Sequence, residues 1–472
     1  MNMSTVKIQS NEELIEVSPA QAFDTHKGLA IVTVPFVQNR SEQKKTYFFI
    51  TSNRKTLEAT ESSLLQLGYT SDRFPRPKQR WSSRSLDGFI KGKSLGSLAG
   101  AYRTILEQLE THIDLGAYEN VEALALWIIG TYLYRLFPAY PYIHLNGMAE
   151  AGKTKTLYLV SLMAFNACMG AETTPAALIR LTHDNQSTLC LDEVEKLHNA
   201  KDEASKTVLA ILNVGYKRGA AVQKMQAGKN GKDWDLKEFD PYSPKILAGI
   251  RGFASTLATR CISILLMKSE NPEIVNREVD SDDPIWQKIR DSIYEGVMSG
   301  EWLAIKNVYA PLEDTELKGR NWETWKPLLS IAKHLENNYP DLYMRLRAFS
   351  IEHSKHKRGI IDEADYCVKI ALGLSSYFLK EAKQQESFIP LRKLLDYLVM
   401  FDEESFMDPQ SKTIYRWMST RWLASELRQL GIVQGAAQQG KVSGKNVKGY
   451  WINYTNLKRR MKTLGVDVDS ST

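Results

Sequence analysis

Hydrophobic and polar positions change their spacing several times along the chain, and these changes predict a protein of mixed α/β structure. Residues 28–36 and 45–51 are apolar runs of strand length, which suit the two arms of a hairpin. Residues 56–68, 97–111 and 120–137 have apolar positions at helical spacing. We therefore predict that the first 115 residues form a small α+β domain, whose function the pattern does not indicate.

Between residues 142 and 267, short apolar runs alternate with amphipathic helical segments. This order predicts a mostly parallel sheet flanked by helices. Two further strands, at 221–225 and 234–239, flank a turn rich in Gly and Asn and are predicted to pair as a hairpin. The predicted strands of the sheet are 142–145, 171–174, 187–193, 245–249 and 261–267. The predicted helices between them are 175–182 and 203–216.

Helical spacing dominates from residue 270 to 385, and the pattern changes again near residue 388. In the last segment, Ser419 or Thr420 is a plausible N-cap for the second helix. A helix followed by a hairpin with a basic tip is the outline of a winged helix. The predicted elements of this segment are helices at 391–401 and 418–430, a strand from 431–433, a tip at 435–448 and a returning strand at 449–453.

The segment that follows the first strand of the sheet carries the most specific chemical signal. Its glycines allow the backbone to curl so that successive N–H groups face an anion. Lys153 is placed to reach the β- and γ-phosphates, and the Thr154 hydroxyl to bind Mg²⁺. Together with Lys155, the residues that fit the phosphate-loop pattern GxxxxGK[ST] predict an ATP site: Gly147, Met148, Ala149, Glu150, Ala151, Gly152, Lys153 and Thr154.

A second motif, which ends in two acidic residues, lies 38 residues after Thr154. The apolar run that begins at residue 187 ends in Asp192 and Glu193, which is the form of a Walker B strand. In that interpretation Asp192 faces the Mg²⁺ and Glu193 faces a water molecule beside the γ-phosphate. The spacing, with a helix and a strand in between, supports a nucleoside triphosphatase active site.

Composition and charge narrow the class of protein. The chain of 472 residues is 43% hydrophobic and 25% charged, which is ordinary for a globular protein of several domains. No apolar run has the length of a membrane span, and no secretory signal begins the sequence, so we expect a cytoplasmic protein. The four cysteines form no CxxC pair, which argues against a zinc site or a disulfide framework.

Two segments are strongly basic. Residues 411–465 contain eleven Lys and Arg residues and one acid, Glu426, a local charge of +10, while the rest of the chain sums to −4; the basic character therefore belongs mostly to the C-terminal module. Arg421 and Arg428 on the second helix, with Lys441, Lys445 and Lys448 on the hairpin, are candidate DNA contacts; the alternative is a basic domain that is merely solvated. Residues 71–93 are also basic, with aromatic residues between the charges. They suit either a nucleic-acid surface or a solvated loop with buried aromatic anchors.

Residues 141–156, 187–193, 243–266 and 319–332 resemble the helicase-like AAA+ ATPases of phages, plasmids and integrative elements, which are related to superfamily III and minichromosome-maintenance helicases. The resemblance implies an AAA+ P-loop core, a helical lid and a winged-helix tail. It implies an arginine finger at Arg260, a sensor-2 arginine at Arg320, and DNA contacts at Lys229 and Lys232 on a pre-sensor hairpin. Solvated lysines at a hairpin tip are the alternative for the last two. No Asn or Thr lies at 247–250, so the sensor-1 role has no candidate.

The sequence therefore predicts four domains: 1–115, the ATPase core 116–270, a helical lid or linker 271–387 and a winged-helix domain 388–472. The predicted function is that of a magnesium-dependent ATP hydrolase and DNA helicase or replication-initiation ATPase. The resemblance implies a ring, usually a hexamer, with ATP bound between subunits and single-stranded DNA in the channel. The alternatives are a DNA-binding regulator switched by ATP, and an ATPase of a defence or transposition system without unwinding activity.

Overall fold

The computed structural model of the chain divides into two compact units, Met1–Glu352 and His353–Thr472. Among the residues that it describes, no helix is both long and apolar enough to cross a membrane. The four-domain division predicted from the sequence stays a prediction. The described residues are 14–37, 45–93, 95–147, 150–170, 174–194, 203–227, 234–249, 255–266, 269, 271–364, 366–382, 384–408, 413–414, 418–429, 431–442 and 444–463.

The first unit begins with an antiparallel sheet in the order β2-β3-β4-β5, and the predicted hairpin is confirmed as β3 and β4. The helix predicted over 56–68 is shorter than expected. Residues 56–58 instead form β5, which pairs with β4, and the Thr60 side chain then caps the helix by accepting from the Ser63 N–H. The elements are β1 (Ile15–Glu16), β2 (Gln21–Asp24), β3 (Leu29–Val37), β4 (Lys45–Thr51), β5 (Thr56–Glu58), α1 (Glu61–Gln66), β6 (Tyr69–Thr70), α2 (Ser83–Ile90), α3 (Leu98–His112) and α4 (Tyr118–Gly130).

The centre of this unit is a five-stranded parallel sheet in the order β13-β7-β12-β9-β8, with helices packed on it, as predicted. Of the strand predicted at 171–174, residues 171–173 lie outside the described part of the chain; β8 comes just before them, and Thr174 caps the next helix. The elements are β7 (Tyr142–Gly147), α5 (Lys153–Met163), β8 (Cys168–Gly170), α6 (Pro175–His183), β9 (Leu189–Leu191), α7 (Glu203–Val214), β10 (Val222–Ala227), β11 (Trp234–Phe239), β12 (Lys245–Gly249), α8 (Ser255–Ala258) and β13 (Cys261–Leu266).

Helices complete the first unit, and their apolar faces join α3, α4 and α5 in one large core. Two arginines cap the carboxyl end of α5. Arg80 donates to the carbonyl oxygens of Ser161 (3.0 Å) and Ala164 (2.5 Å), and Arg290 donates to that of Leu162 (2.6 Å). Of the aromatic residues in the basic segment, Trp81 and Phe89 are buried and Phe74 is exposed, so only two of the three are anchors. The helices are α9 (Pro272–Asn276), α10 (Pro284–Gly296), α11 (Trp302–Tyr309), α12 (Gly319–Leu335) and α13 (Leu342–Ala364), the last of which runs into the second unit.

The second unit packs its helices on one face of an antiparallel sheet in the order β14-β18-β17. Ser419 accepts from the Trp422 N–H at the start of α17, as an N-cap should. The elements are α14 (Tyr366–Tyr377), β14 (Glu386–Pro390), α15 (Leu391–Phe401), α16 (Glu403–Phe406), β15 (Met407–Asp408), β16 (Thr413–Ile414), α17 (Thr420–Gln429), β17 (Gln438–Val442), β18 (Lys445–Asn453) and α18 (Tyr454–Thr463).

The prediction that a strand starts at residue 431 is wrong. Gly431 has φ +65° and ends α17, and the Ile432 N–H donates to the Leu427 carbonyl oxygen at 3.1 Å. A left-handed glycine followed by a buried apolar residue is a helix C-cap, which explains the apolar character of Ile432 and Val433 without a strand. The hairpin starts later, at Gln438.

Candidate nucleotide site

Two described residues of the loop between β7 and α5 have left-handed backbone conformations. Gly152 is the N-cap of α5 and has φ +85°, and Glu150 also has a positive φ, of +63°. Both residues therefore adopt the left-handed region, which Gly152 enters at little cost and Glu150 enters under strain. The Glu150 side chain is exposed. Met148 and Ala149, two of the predicted cofactor-binding residues, lie outside the described part of the chain.

Gly147 ends β7, and its lack of a side chain is required by the neighbouring strand. A Cβ atom at this position would overlap the backbone carbonyl of Leu266, the last residue of β13. The loop therefore begins where two parallel strands are in close backbone contact.

The predicted phosphate-loop residues and the predicted acidic residues meet at this loop. The Thr154 hydroxyl donates to the Asp192 carboxylate at 2.7 Å, and the other oxygen of that carboxylate accepts from the Glu193 N–H at 2.9 Å. The Lys153 ammonium donates to the Gly147 carbonyl oxygen at 2.6 Å, across the mouth of the loop. Glu193 is exposed and has φ +54°, another strained backbone position at the site.

The sheet topology explains why these groups come together. From β7 the chain passes to β8 at one edge of the sheet, returns through β9 and β12, and then crosses β7 to reach β13 at the other edge. Ligands of open α/β sheets bind beyond the carboxyl ends of the strands where the strand order reverses. The loop after β7 and the residues after β9 both lie at the carboxyl ends of the strands.

A cavity opens beside the loop, and most of its lining comes from outside the predicted motifs. The Lys155 ammonium donates to the Ile274 carbonyl oxygen at 2.7 Å, and Ser269 donates to Asp114 at 2.9 Å. Partial burial, together with the charge of Arg277, lowers the pKa of Lys155. The other lining residues are mostly apolar and are Ile113, Ala151, Leu266 and Val275, with His112, Glu150 and Gly152.

The two predicted arginines lie together near the amino ends of the strands, away from the phosphate loop. Arg260 precedes β13, and its carbonyl oxygen accepts from the Tyr142 N–H at the start of β7. Its guanidinium lies 5.0 Å from the centre of the Tyr216 ring, and that of Arg320 lies 4.8 Å from the same ring. Arg320 also donates to the Tyr216 hydroxyl. Because β13 spans about 20 Å at 3.3 Å per residue, neither arginine reaches the phosphate loop of its own chain.

Acidic and basic neighbours complete the arginine cluster. The Glu323 carboxylate accepts from the Tyr216 hydroxyl at 3.3 Å and from the Lys217 ammonium at 3.0 Å. Arg320 is 40% exposed, and Tyr216 is buried beneath it. Tyr216 was not among the predicted site residues, because its part in the cluster depends on contacts with Arg260 and with α12, which are distant in sequence.

The predicted DNA contacts have different outcomes. The hairpin that carries Lys229 and Lys232 is confirmed as the antiparallel pair β10 and β11, but both lysines lie outside the described residues. The remaining candidates are exposed in the second unit: Arg421 and Arg428 on α17, Lys441 on β17, and Lys445 and Lys448 on β18. Their role in binding stays a prediction.

Within the described ranges, no group of three or more His, Cys, Asp or Glu side chains is placed to hold a metal ion. The Thr154 hydroxyl and the Asp192 carboxylate instead offer two hard oxygen ligands close together. Magnesium at nucleotide sites takes one or two such protein ligands and completes its octahedron with phosphates and water. The residues present therefore fit a nucleotide-bound Mg²⁺ and do not fit an all-protein cage.

Comparison with known proteins gives one family model, described as a protein of unknown function (DUF3631), which matches residues 267–459. No curated protein matches the chain. The A-form apo structure of the NrS-1 C-terminal region is similar with 11% identity and a TM-score of 0.35, covering 91% of this chain and 97% of that one. The structure of SCCmec type IV Cch, an active helicase, is similar with 12% identity and a TM-score of 0.40, covering 96% and 100%.

Proposed function

We propose that this chain is an ATP hydrolase that acts on DNA, as a helicase or replication-initiation ATPase of a phage, plasmid or integrative element. The observation that carries the proposal is the 2.7 Å hydrogen bond between Thr154 and Asp192. It joins the phosphate-loop helix to the end of β9, and these are the two places from which a triphosphatase draws its metal ligands.

Each residue at the loop has a distinct task in this proposal. The backbone N–H groups from Gly147 to Lys153 cradle the phosphates, and the Lys153 ammonium moves from the Gly147 carbonyl to the β- and γ-phosphates. Thr154 and Asp192 would hold Mg²⁺, which neutralises charge on the phosphates when bound. Glu193 orients the attacking water. The cavity beside Lys155 would receive the nucleobase.

The arginines act on the nucleotide of a neighbouring subunit. The guanidinium groups of Arg260 and Arg320 both contact the Tyr216 ring near the amino ends of the strands, away from the phosphate loop of their own chain. A guanidinium that stabilises the transition state must touch the γ-phosphate, so these two serve a second copy of the chain. Repetition of this head-to-tail contact closes a ring, for which six subunits is our expectation.

DNA contacts are assigned to the β10–β11 hairpin and to the second unit. Lys229 and Lys232, which come between β10 and β11 in the sequence, would contact single-stranded DNA in the channel. Arg421 and Arg428, with the lysines of β17 and β18, would contact duplex DNA. The exposure of the five described side chains supports this assignment.

ATP hydrolysis by matched lysine variants tests the proposal. We expect Lys153→Ala to abolish phosphate release, because the loop loses its only side-chain cation aimed at the transferred phosphate. Lys288→Ala is the control, since Lys288 is an exposed lysine on α10. Equal turnover in both variants would overturn the site assignment.

Mixing two inactive proteins tests the shared site. Glu193→Gln disables the water-orienting group and Arg260→Ala disables the finger, so neither protein alone should hydrolyse ATP. In a mixed ring, some interfaces combine an intact Glu193 with an intact Arg260, and partial activity returns. Absence of activity at every mixing ratio would refute a finger that acts between subunits. Forked DNA that is never unwound, with hydrolysis intact, would favour the ATP-switched regulator.

A further inference from the structure

A small cleft lies between the basic segment and β8, the edge strand of the parallel sheet. Arg76, Lys78 and Arg80 line it from the basic segment, and Asn185 and Ser187 line it from the connection between α6 and β9. We call it the basic cleft. Its volume is about 130 Å³, whereas a pocket for a whole small-molecule ligand has at least about 300 Å³. The cleft therefore has room for one small group.

The lining of the basic cleft is positively charged. It contains three cations and no acid, a charge of +3. Arg76 and Lys78 are exposed, and neither forms an ion pair with any described residue. A cleft with charge of one sign concentrates ions of the other sign. The complementary ligand is therefore an anion.

Acids near the basic cleft do not cancel this charge. Residues 72–84 and 166–187, which supply the whole lining, contain six Lys and Arg residues and three acids, a net charge of +3. Asp72, one of these acids, pairs with the arginine that follows it at 3.2 Å. Asp291 on α10 lies beside Arg290, whose charge offsets its own. The excess of positive charge in the lining therefore remains.

Hydrogen bonds fix the basic segment where it passes the cleft. The Arg76 N–H donates to the Asn185 side-chain oxygen at 3.0 Å, and the Asn166 side chain donates to the Asn185 carbonyl oxygen at 3.0 Å. Arg80 is held by the carbonyl oxygens at the end of α5, whose partial negative charge it neutralises. Arg80 therefore positions the segment, and Arg76 and Lys78 supply the charge for a ligand.

A buried hydroxyl in the cleft identifies the kind of anion. Ser187 is 3% exposed, and its hydroxyl forms no hydrogen bond with any described residue. Buried polar groups are almost always hydrogen-bonded, so this exception indicates a partner that the chain itself does not supply. A hydroxyl donates to an oxygen acceptor. Together with the cations, it favours an oxyanion such as phosphate.

We propose that the basic cleft binds one phosphate group of a nucleic-acid strand, through the charges of Arg76 and Lys78 and a hydrogen bond from Ser187. Residues 73–84 contain five Lys and Arg residues and no acid, which suits a polymer of phosphates better than a single anion. The small volume leaves the sugar and base outside. This inference rests on the proposed action on DNA and adds a contact at the edge of the sheet. Phosphate contacts carry no sequence information, so the cleft has no sequence preference.

Binding of a labelled dT₂₀ oligonucleotide to the full chain, followed by fluorescence anisotropy over a range of salt concentrations, tests the proposal. We expect the double variant Arg76→Ala, Lys78→Ala to bind about tenfold more weakly. The slope of log K against log salt should fall by about 0.7, the value for one phosphate on a single strand. The double variant Arg103→Ala, Lys288→Ala is the matched control, because it removes an exposed arginine and an exposed lysine elsewhere on the first unit. Its affinity and slope should be those of the parent.

Ser187→Ala separates the basic cleft from the general charge of the protein. We expect about fivefold weaker binding of dT₂₀ with an unchanged salt slope, because a neutral donor displaces no counterion. The melting temperature should be unchanged, because the hydroxyl has no partner among the described residues. Ser83→Ala, at an exposed serine on α2, is the matched control and should bind as the parent does.

Oligonucleotides with a 5′-phosphate and with a 5′-hydroxyl distinguish two sources of the phosphate. If Arg76→Ala, Lys78→Ala weakens binding of both, the cleft holds an internal phosphodiester; if only the phosphorylated strand is affected, it holds the terminal phosphate. Binding as tight as that of the parent in this variant or in Ser187→Ala would overturn the basic cleft while leaving the proposed action on DNA intact. So would weaker binding of a fluorescent ATP analogue in place of DNA. If the parent binds no DNA, the proposed action on DNA fails as well.

Discussion

The buried Lys245 offers a stability prediction that is independent of function. It is the first residue of β12 and is fully buried. Its ammonium lies 3.0 Å from the carbonyl oxygens of Pro241 and Ser243 and 3.3 Å from that of Gly215, with the Tyr142 ring 4.9 Å away. Burial lowers the pKa of Lys245 to about 7. Lys245→Met retains the length of the side chain and removes every donor.

The loss of stability in Lys245→Met can be estimated from the three carbonyl oxygens that lose their donor. Each buried acceptor left without a donor costs about 1–3 kcal/mol, so we expect a loss of about 3 kcal/mol after partial relaxation. The total stability of a typical domain is about 5–15 kcal/mol, which makes this a severe change. The loop that carries Tyr216 follows Gly215 directly, so the arginine cluster should loosen with it.

The stability difference between the parent and Lys245→Met should grow with pH. The pKa of Lys245 in the folded chain is below the unfolded value of 10.5, so between pH 7 and 10.5 the unfolded state holds the additional proton. The stability of the parent therefore rises with pH in this window, and that of Lys245→Met lacks this term. Between pH 7 and pH 9 the difference between the two proteins should increase by about 2 kcal/mol.

Urea unfolding followed by tryptophan fluorescence at pH 7 and pH 9 measures this difference. Lys288→Met is the control, since Lys288 is an exposed lysine whose loss should change neither the midpoint nor its pH dependence. A stability difference that is the same at both pH values would refute the reasoning. It would mean that the three carbonyl oxygens hold the ammonium in its charged form throughout.

Three other predictions concern the nucleotide site. Thr154→Val should reduce Mg²⁺-dependent ATP hydrolysis about a hundredfold, whereas Thr154→Ser, which keeps the hydroxyl, should retain most of the rate in a phosphate-release assay. Gly147→Ala should destabilise the first unit by about 1–3 kcal/mol, because its Cβ meets the Leu266 carbonyl; an unchanged melting temperature would contradict that contact. Tyr216→Leu should lower turnover about tenfold with unchanged affinity for a fluorescent ATP analogue, since both arginines lose their ring, and Tyr216→Phe should be milder.

Local patterns in the sequence predicted the elements that depend on neighbours along the chain. The phosphate loop from Gly147 to Thr154, the acidic end of β9 and the β10–β11 hairpin each need only a short motif and the right spacing. The five residues of β14 were missed, because they pair with β18 residues 59 to 67 positions away and have no distinctive period of their own. The same holds for β5, which forms because β4 offers it an edge.

The parts of the site that were not predicted depend on contacts between distant elements. Nothing near Lys245 in the sequence distinguishes it from a solvated lysine at the start of a strand; its burial arises from the turns at Gly215 and Pro241 that close over it. Tyr216 is one of 21 tyrosines, and only the folded chain places it between Arg260 and Arg320. Motifs therefore identify the phosphate end of the site and the family resemblance names the two arginines, but only the fold shows the tyrosine that joins them.

The two arginines at the carboxyl end of α5 limit how the protein can be divided for experiments. A helix has partial negative charge at its carboxyl end. At the carboxyl end of α5 this charge is neutralised by Arg80 and Arg290, which are 210 positions apart in the sequence. A fragment that starts at residue 116, the predicted start of the ATPase core, would lose Arg80 and leave the Ala164 carbonyl without that donor. A truncated protein for biochemical work should therefore begin before the basic segment at 71–93.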